Sequence, residues 1–181
     1  MMEKLSAEEF DRNLEEVQKR LKAALEKSGR SEDEVTLLAA TKTVDPDTVN
    51  YAIDKGIKYV GENRVQELLS KYKLLKPVHS HFIGHLQTNK VKDIIDKVEM
   101  IESVHSLKLA NEISKQAAAA KVQMDVLLEI NIGNEETKSG FAPNAAENAV
   151  REIAKLPNIH IKGLMCIPPA ADVPEDARKY F

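Results

Sequence analysis

Lys42 closes an apolar run, VTLLAATKT at 35 to 43, and a lysine held behind Leu37, Leu38, Ala39 and Ala40 is the first candidate for chemistry in the chain. Partial desolvation there would lower the amine pKa from ~10.4 and free its lone pair to form a Schiff base. The competing reading is an ordinary strand-ending lysine whose stem lies on apolar surface while its amine reaches water. Gly61-Glu62-Asn63-Arg64 follows a second short run, with polar side chains gathered where a ligand would dock, or where a turn and a helix cap would place the same residues. His79 and His81 share one face of a third run, with His85 just beyond it, a spacing open to a metal pair. Completing such a site takes His or Asp from later strands, yet the fifth run ends in Asn131 and His160 opens the sixth, which favours satisfied or solvated histidines. Asn131 through Gly140 (NIGNEETKSG) reads as a polar loop in which Lys138 offers a cation to an anionic ligand or simply faces water. Met165 ends a buried run, as part of a barrel mouth or as core filler, and Cys166 beside it reads as a buried thiol without a chemical role.

These residues need a frame to hold them. Phe10, Leu14, Val17, Leu21 and Leu25 recur at helical spacing, Ser6 and Glu9 match a capping box, and Ser28-Gly29 end the pattern, so a helix is expected over 6–28. From residue 35 onward short β-rich runs alternate with amphipathic segments. Strands are expected at 35–43, 57–61, 79–84, 98–104, 124–132 and 159–167. Between them come helices using Val49, Ala52 and Ile53; Val65, Leu68 and Leu69; Val91, Ile94 and Ile95; Leu109, Ala110, Ile113 and Ala117; and Ala146, Ala149, Val150 and Ile153. Asp45 with Pro46 and Ser106 mark helix starts, Gly56 marks a stop, and a last helix is expected near Pro174.

Strict strand-then-helix alternation means a parallel α/β sheet, since parallel neighbours require crossover connections. A six-stranded doubly wound sheet would be complete at 181 residues, whereas a (βα)8 barrel wants ~250 residues and two more units. The doubly wound reading lacks a glycine-rich phosphate turn, and pattern alone leaves the two level.

Composition narrows the partners. With 26 Lys+Arg against 29 Asp+Glu, 4% aromatic residues and no Trp, the chain offers neither a basic stripe for a phosphate backbone nor platforms for stacking bases, so nucleic acid is not an expected partner. No apolar run approaches the ~18 residues of a membrane span, and the first ten residues contain no signal-like apolar stretch. One cysteine excludes an internal disulfide and any multi-cysteine metal site, which fits a reducing cytoplasm. None of the 7 glycines is spaced as in GxGxxG or GxxxxGK[ST].

In ATKT with Lys42, YVGENRVQE at 59–67, HFIGHLQTNK at 81–90, EINIGNEETKSGF at 129–141 and GLMCIPP at 163–169, in this order and spacing, the chain resembles the pyridoxal phosphate homeostasis protein family, single-domain relatives of the alanine racemase N-terminal barrel. The resemblance spans essentially the whole chain. It implies a (βα)8 barrel of the TIM type with an extra N-terminal helix, forming one domain over 1–181 with about six of eight βα units present and the last two units missing. It further implies that pyridoxal 5′-phosphate (PLP) is held as a Schiff base on Lys42, with Asn63 and Met165 lining the cofactor site. Lys138 stands where racemases carry a basic residue near the phenolic oxygen. No metal is implied. The serine-containing phosphate segment after a seventh strand, and the glycine-threonine and arginine segment around an eighth, are not found in this sequence.

Racemisation needs proton transfer on both faces of the reacting carbon, so one lysine is insufficient. Relatives that racemise take a second group, a tyrosine, from an extra β-domain, and Tyr51, Tyr59, Tyr72 and Tyr180 are not placed to replace it. The expectation is a non-catalytic cytoplasmic PLP carrier or buffer in vitamin B6 homeostasis that passes PLP to apo-enzymes. The alternative is a racemase-like PLP enzyme of weak activity. Six strands leave the first and last as open apolar edges, so a monomer is expected of a complete barrel, and aggregation with poorer PLP retention of a truncated one.

Overall fold

The computed structural model describes residues 6–135 and 137–181; residues 1–5 and Glu136, which falls in the 131–140 loop, lie outside the described residues. Helix α1 (Ala7–Ser28) starts where Ser6 accepts the Glu9 N–H and the Glu9 carboxylate accepts the Ser6 N–H, satisfying donors that an uncapped helix leaves free. Gly29 closes it at φ 69°, a left-handed conformation that costs glycine little. Phe10 meets Tyr51 edge-on, and Leu25 is buried, whereas Val17 of the same expected stripe is exposed.

Strands and helices then alternate: β1 (Leu38–Ala40), α2 (Pro46–Asp54), β2 (Tyr59–Glu62), α3 (Val65–Lys71), β3 (His79–Phe82), α4 (Val91–Ile94), β4 (Met100–Val104), α5 (Leu107–Ala120), β5 (Met124–Glu129), α6 (Ala146–Ile153) and β6 (Ile159–Met165). Asp45 caps α2 by accepting the Thr48 N–H, and Ser106 caps α5 by accepting the Leu109 N–H. All pairings are parallel, in the order β1-β2-β3-β4-β5-β6.

That order decides between the two architectures. A doubly wound sheet reverses its direction of growth, which would set β1 inside the sheet. Here β1 is an edge, and each new strand adds beside the last, as in the wall of a (βα)8 barrel. Six consecutive units of that wall are present, and among the described residues β6 and β1 each pair on one side only.

The outward faces of the strands carry the core. Phe82, Ile101, Val126 and Leu128 are fully buried in one cluster with Leu109, Ile113, Ala117 and Ile153 of the covering helices. A smaller cluster joins Val49, Ala52 and Val60 to Phe10 and Leu14. Several elements are shorter than their apolar runs. β1 spans Leu38–Ala40, because the chain turns out of the sheet at Lys42-Thr43, and the run at 159–167 leaves the ladder after Met165. Leu69 is 40% and Leu164 57% exposed. The expected last helix is a 3-10 turn over Pro174–Tyr180. No helix among the described residues is long and apolar enough to cross a membrane.

Glycine matters most where β3 ends. A Cβ at Gly84 would lie 2.1 Å from the Asn63 carbonyl oxygen, and the Gly84 carbonyl accepts the Ser103 hydroxyl, so the ends of β2, β3 and β4 converge there. A Cβ at Gly163 would instead meet only Leu127 at 3.6 Å. Gly84→Ala is expected to destabilise the protein by about 2 kcal/mol or more through overpacking against backbone, and Gly163→Ala by much less. Urea unfolding of both variants checks this, and equal midpoints would show that the β3 end yields freely.

Candidate functional site

Parallel strands put every carboxyl end on one side of the sheet, and the polar loops follow those ends. After β1, the Thr41 N–H still bonds the Gly61 carbonyl at 2.9 Å, and then Lys42 and Thr43 turn away, Thr43 with φ 65°. Lys42 is exposed. The desolvation expected from strand burial is not present, because the amine lies past the last paired residue of an edge strand.

Leu38 pairs with Tyr59 and Ala40 with Gly61, so Lys42 leaves the sheet beside the end of β2, where Asn63 directly follows Glu62. The Asn63 side-chain oxygen is buried and has no hydrogen-bond partner. An acceptor sealed from water without a donor is costly in a native fold, and a ligand N–H or O–H would satisfy it. Met165 ends β6 opposite Glu129 of β5 and is half-buried. Lys138 lies in a loop tied down by Asn131, whose amide donates to the Glu135 carbonyl at 2.8 Å, and its ammonium sits 2.7 Å from the Glu135 carboxylate. The Lys138 cation is therefore neutralised within its own loop. Cys166 is half-buried and free, more open than the sequence suggests, because it follows the last paired residue of β6.

The histidines divide between the two ends of the sheet. His79 opens β3 and His81 lies two residues further along it, each against its own carboxylate, Glu99 at 2.7 Å and Glu102 at 2.6 Å, while Tyr59 stacks on His79 at 4.6 Å. Among the described residues no group of three or more His, Cys, Asp or Glu is disposed to hold a metal. Tyr51 donates to Asp11 of α1 and Tyr59 is taken up by His79, so both are used elsewhere. At the carboxyl end, His85 bonds the Ser139 hydroxyl at 2.9 Å and stacks on His105 at 4.4 Å.

Three features of this end are not visible from motif spacing. Glu129 is half-buried at the end of β5; burial pushes its carboxyl upward, against the opposing pull of His85. Burial likewise pushes the His105 imidazole down, although a hydrogen bond to the Ser103 carbonyl resists this. The third is an ion cluster behind Lys42. Lys71 is buried, with its ammonium 2.7 Å from Glu62 and 2.6 Å from Glu67. The i,i+4 spacing of Glu67 and Lys71 was legible; their burial was not.

Glu129 has a pH signature. A carboxyl raised on folding contributes stability that is full below its unfolded pKa and lost as pH rises through the folded one. Glu129→Gln is therefore expected to raise the thermal midpoint at pH 7 relative to the parent, with the difference vanishing below about pH 4. A constant difference across pH 4 to 8 would remove burial of this carboxylate as the cause.

The comparisons agree with this geometry. A model of the family "Alanine racemase, N-terminal domain" matches residues 7–181. The pyridoxal phosphate homeostasis protein of Aquifex aeolicus (strain VF5) is 45% identical over 178 residues, covering 97% of this chain and 76% of that protein. A crystal structure of a protein from Bifidobacterium adolescentis superimposes with a TM-score of 0.84 at 36% identity, over 92% of this chain and 72% of the other. PipY of Synechococcus elongatus PCC7942, solved with PLP bound, gives a TM-score of 0.70 at 25% identity, over 87% and 77% of the two chains. With the sequential parallel wall and the lysine turn after its first strand, these matches show that the chain belongs to the pyridoxal phosphate homeostasis protein family, built on the barrel of the alanine racemase N-terminal domain.

Proposed function

We propose that this protein is a PLP-binding carrier or buffer in cytoplasmic PLP homeostasis, with Lys42 as the point of covalent attachment. The observation that carries this reading is an exposed lysine just past the carboxyl end of β1, with an Asn63 acceptor that is buried without a donor just past the end of the neighbouring β2. The residues fit the cofactor: an amine to take an aldehyde, an unsatisfied amide oxygen to meet a polar group, and Met165 as an apolar contact at β6. A PLP-bound relative and relatives named for PLP homeostasis support the same conclusion.

Bound there, PLP supplies an aldehyde and an electron-withdrawing ring. Lys42 would hold the group through its amine, by condensation with the aldehyde and loss of water. Such a linkage would be reversible by hydrolysis with no net redox change, which suits release to an apo-enzyme. Asn63 orients the bound group by accepting a hydrogen bond. Lys138 can turn toward an anionic oxygen only if its pair with Glu135 opens, a modest cost for a partly exposed ion pair. A carrier needs no second acid–base group facing the lysine.

Lys42→Ala is expected to abolish the visible absorption band and borohydride-fixed pyridoxyl label while leaving the unfolding midpoint near that of the parent, because the exposed side chain packs little. Label mapped to Lys138 or Lys90 in the unmutated protein would overturn the assignment. Asn63→Ala is expected to weaken PLP retention by about 1 kcal/mol without preventing attachment. Equilibrium dialysis measures it, and unchanged affinity would reduce Asn63 to a turn residue. Exchange of an amino-acid α-proton in deuterated buffer above the rate with free PLP would replace the carrier with an enzyme.

A further inference from the structure

Lys42 is exposed, yet the backbone on both sides of it is bound to one buried charge cluster. Thr41 before it donates its hydroxyl to Glu62 at 2.8 Å, and its carbonyl accepts the Lys71 ammonium at 2.8 Å. Thr43 after it donates its N–H to the Glu67 carboxylate oxygen that also receives Lys71. Lys71 and Glu62 are almost fully buried, with side chains 7% and 3% exposed, and Glu67 is 19% exposed. Three ionised groups at this depth are expensive to desolvate, and replacing such a cluster by apolar residues is often neutral or stabilising. The second Glu62 oxygen has no partner at all, so the cluster is not optimised for stability alone. Each of its members, however, ends on the turn that carries Lys42.

We infer that Lys71, with Glu62 and Glu67, is a positioning residue for Lys42: the cluster clamps Thr41 and Thr43, holds Thr43 in its left-handed conformation, and so fixes where the Lys42 amine is presented. This rests on the reading of Lys42 as the PLP lysine. The clamp has two arms. Glu62 and Lys71 hold the Thr41 side, and Glu67 alone holds the Thr43 N–H. Positive φ at a β-branched residue is strained; without the Glu67 arm only the bond from the Val44 N–H to the Thr41 carbonyl, 3.1 Å, closes the turn, so Thr43 is freer to relax and swing Lys42. Burial acts to raise the Glu67 carboxyl, but the Lys71 ammonium and the Thr43 N–H outweigh it and hold it ionised, below the usual carboxylate range.

The test compares Glu67→Ala, Glu67→Gln and Lys71→Met in the full chain. Glu67→Gln keeps the oxygen that accepts from Thr43 and Lys71; Glu67→Ala removes it while leaving the Lys71–Glu62 pair in place. The readouts are the rate and equilibrium of borohydride-trapped pyridoxyl label on Lys42, and amide exchange at Thr43 without PLP. Glu67→Ala is expected to slow labelling and weaken PLP binding by about tenfold or more, the scale of a misplaced reacting group, with faster Thr43 exchange and an intact fold. Glu67→Gln is expected to retain most of both. Lys71→Met, where folded, is expected to match Glu67→Ala; if it fails to fold, the Glu67 pair decides. Wild-type labelling of Lys42 with equal rates in Glu67→Ala overturns the positioning role alone. No label on Lys42 in the wild type overturns the cofactor reading and the positioning role with it.

Discussion

Every ladder in the sheet joins parallel neighbours, and a parallel pair cannot be closed by a hairpin. Each strand must be followed by a return crossing, and a right-handed return puts every crossing on the same face when strands add in order. Helices α2 to α6 therefore cover one side of the wall, and all the loops that follow strands open at one end. Lys42, Asn63, His85, the 131–140 loop and Met165 share that end for this reason, although they are spread across more than a hundred residues of sequence.

Charge is distributed unevenly on this frame. From the amino end to the middle of the wall, His79 pairs with Glu99, His81 with Glu102 and His160 with Asp125, each histidine on its own carboxylate. The carboxyl end holds groups that are less settled: an amine in water, an amide oxygen without a donor, and a carboxyl displaced upward by burial. Perturbed or unsatisfied groups gathered at one end of a barrel are the usual mark of a ligand site. The buried Lys71 cluster links this end to the sheet itself, because Glu62 is a residue of β2 and Lys71 ends α3.

A carrier must grip a reactive aldehyde and still release it. In the proposed function, a reversible carbon–nitrogen bond to the exposed Lys42 would meet both demands, since water reaches the side chain and hydrolysis needs no second acid–base group. A racemase faces the harder demand of opposed proton donors on both faces of the substrate; here Tyr51 donates its hydroxyl to Asp11 and Tyr59 stacks on His79.

Sequence alone determined what depends on near neighbours. The capping box of Ser6 and Glu9, the Asp45-Pro46 helix start, the Ser106 cap and the alternation of strands and helices all rest on contacts within a few residues, and the motifs around Lys42, Asn63 and Met165 carried the family resemblance. Tertiary structure alone decided what depends on residues far apart meeting. Strand order, which broke the tie between a doubly wound sheet and a barrel wall, is set by pairings across the chain. Lys42 reads as desolvated behind an apolar run, yet it lies in water because β1 ends at Ala40. Glu62 reads as part of a polar turn, yet it forms a buried cluster with Lys71 and Glu67 because α3 packs back over β2 and reaches Thr41. Periodicity records which face of a helix is apolar, but burial of a charge depends on what arrives to cover it, and that is a property of the assembled fold.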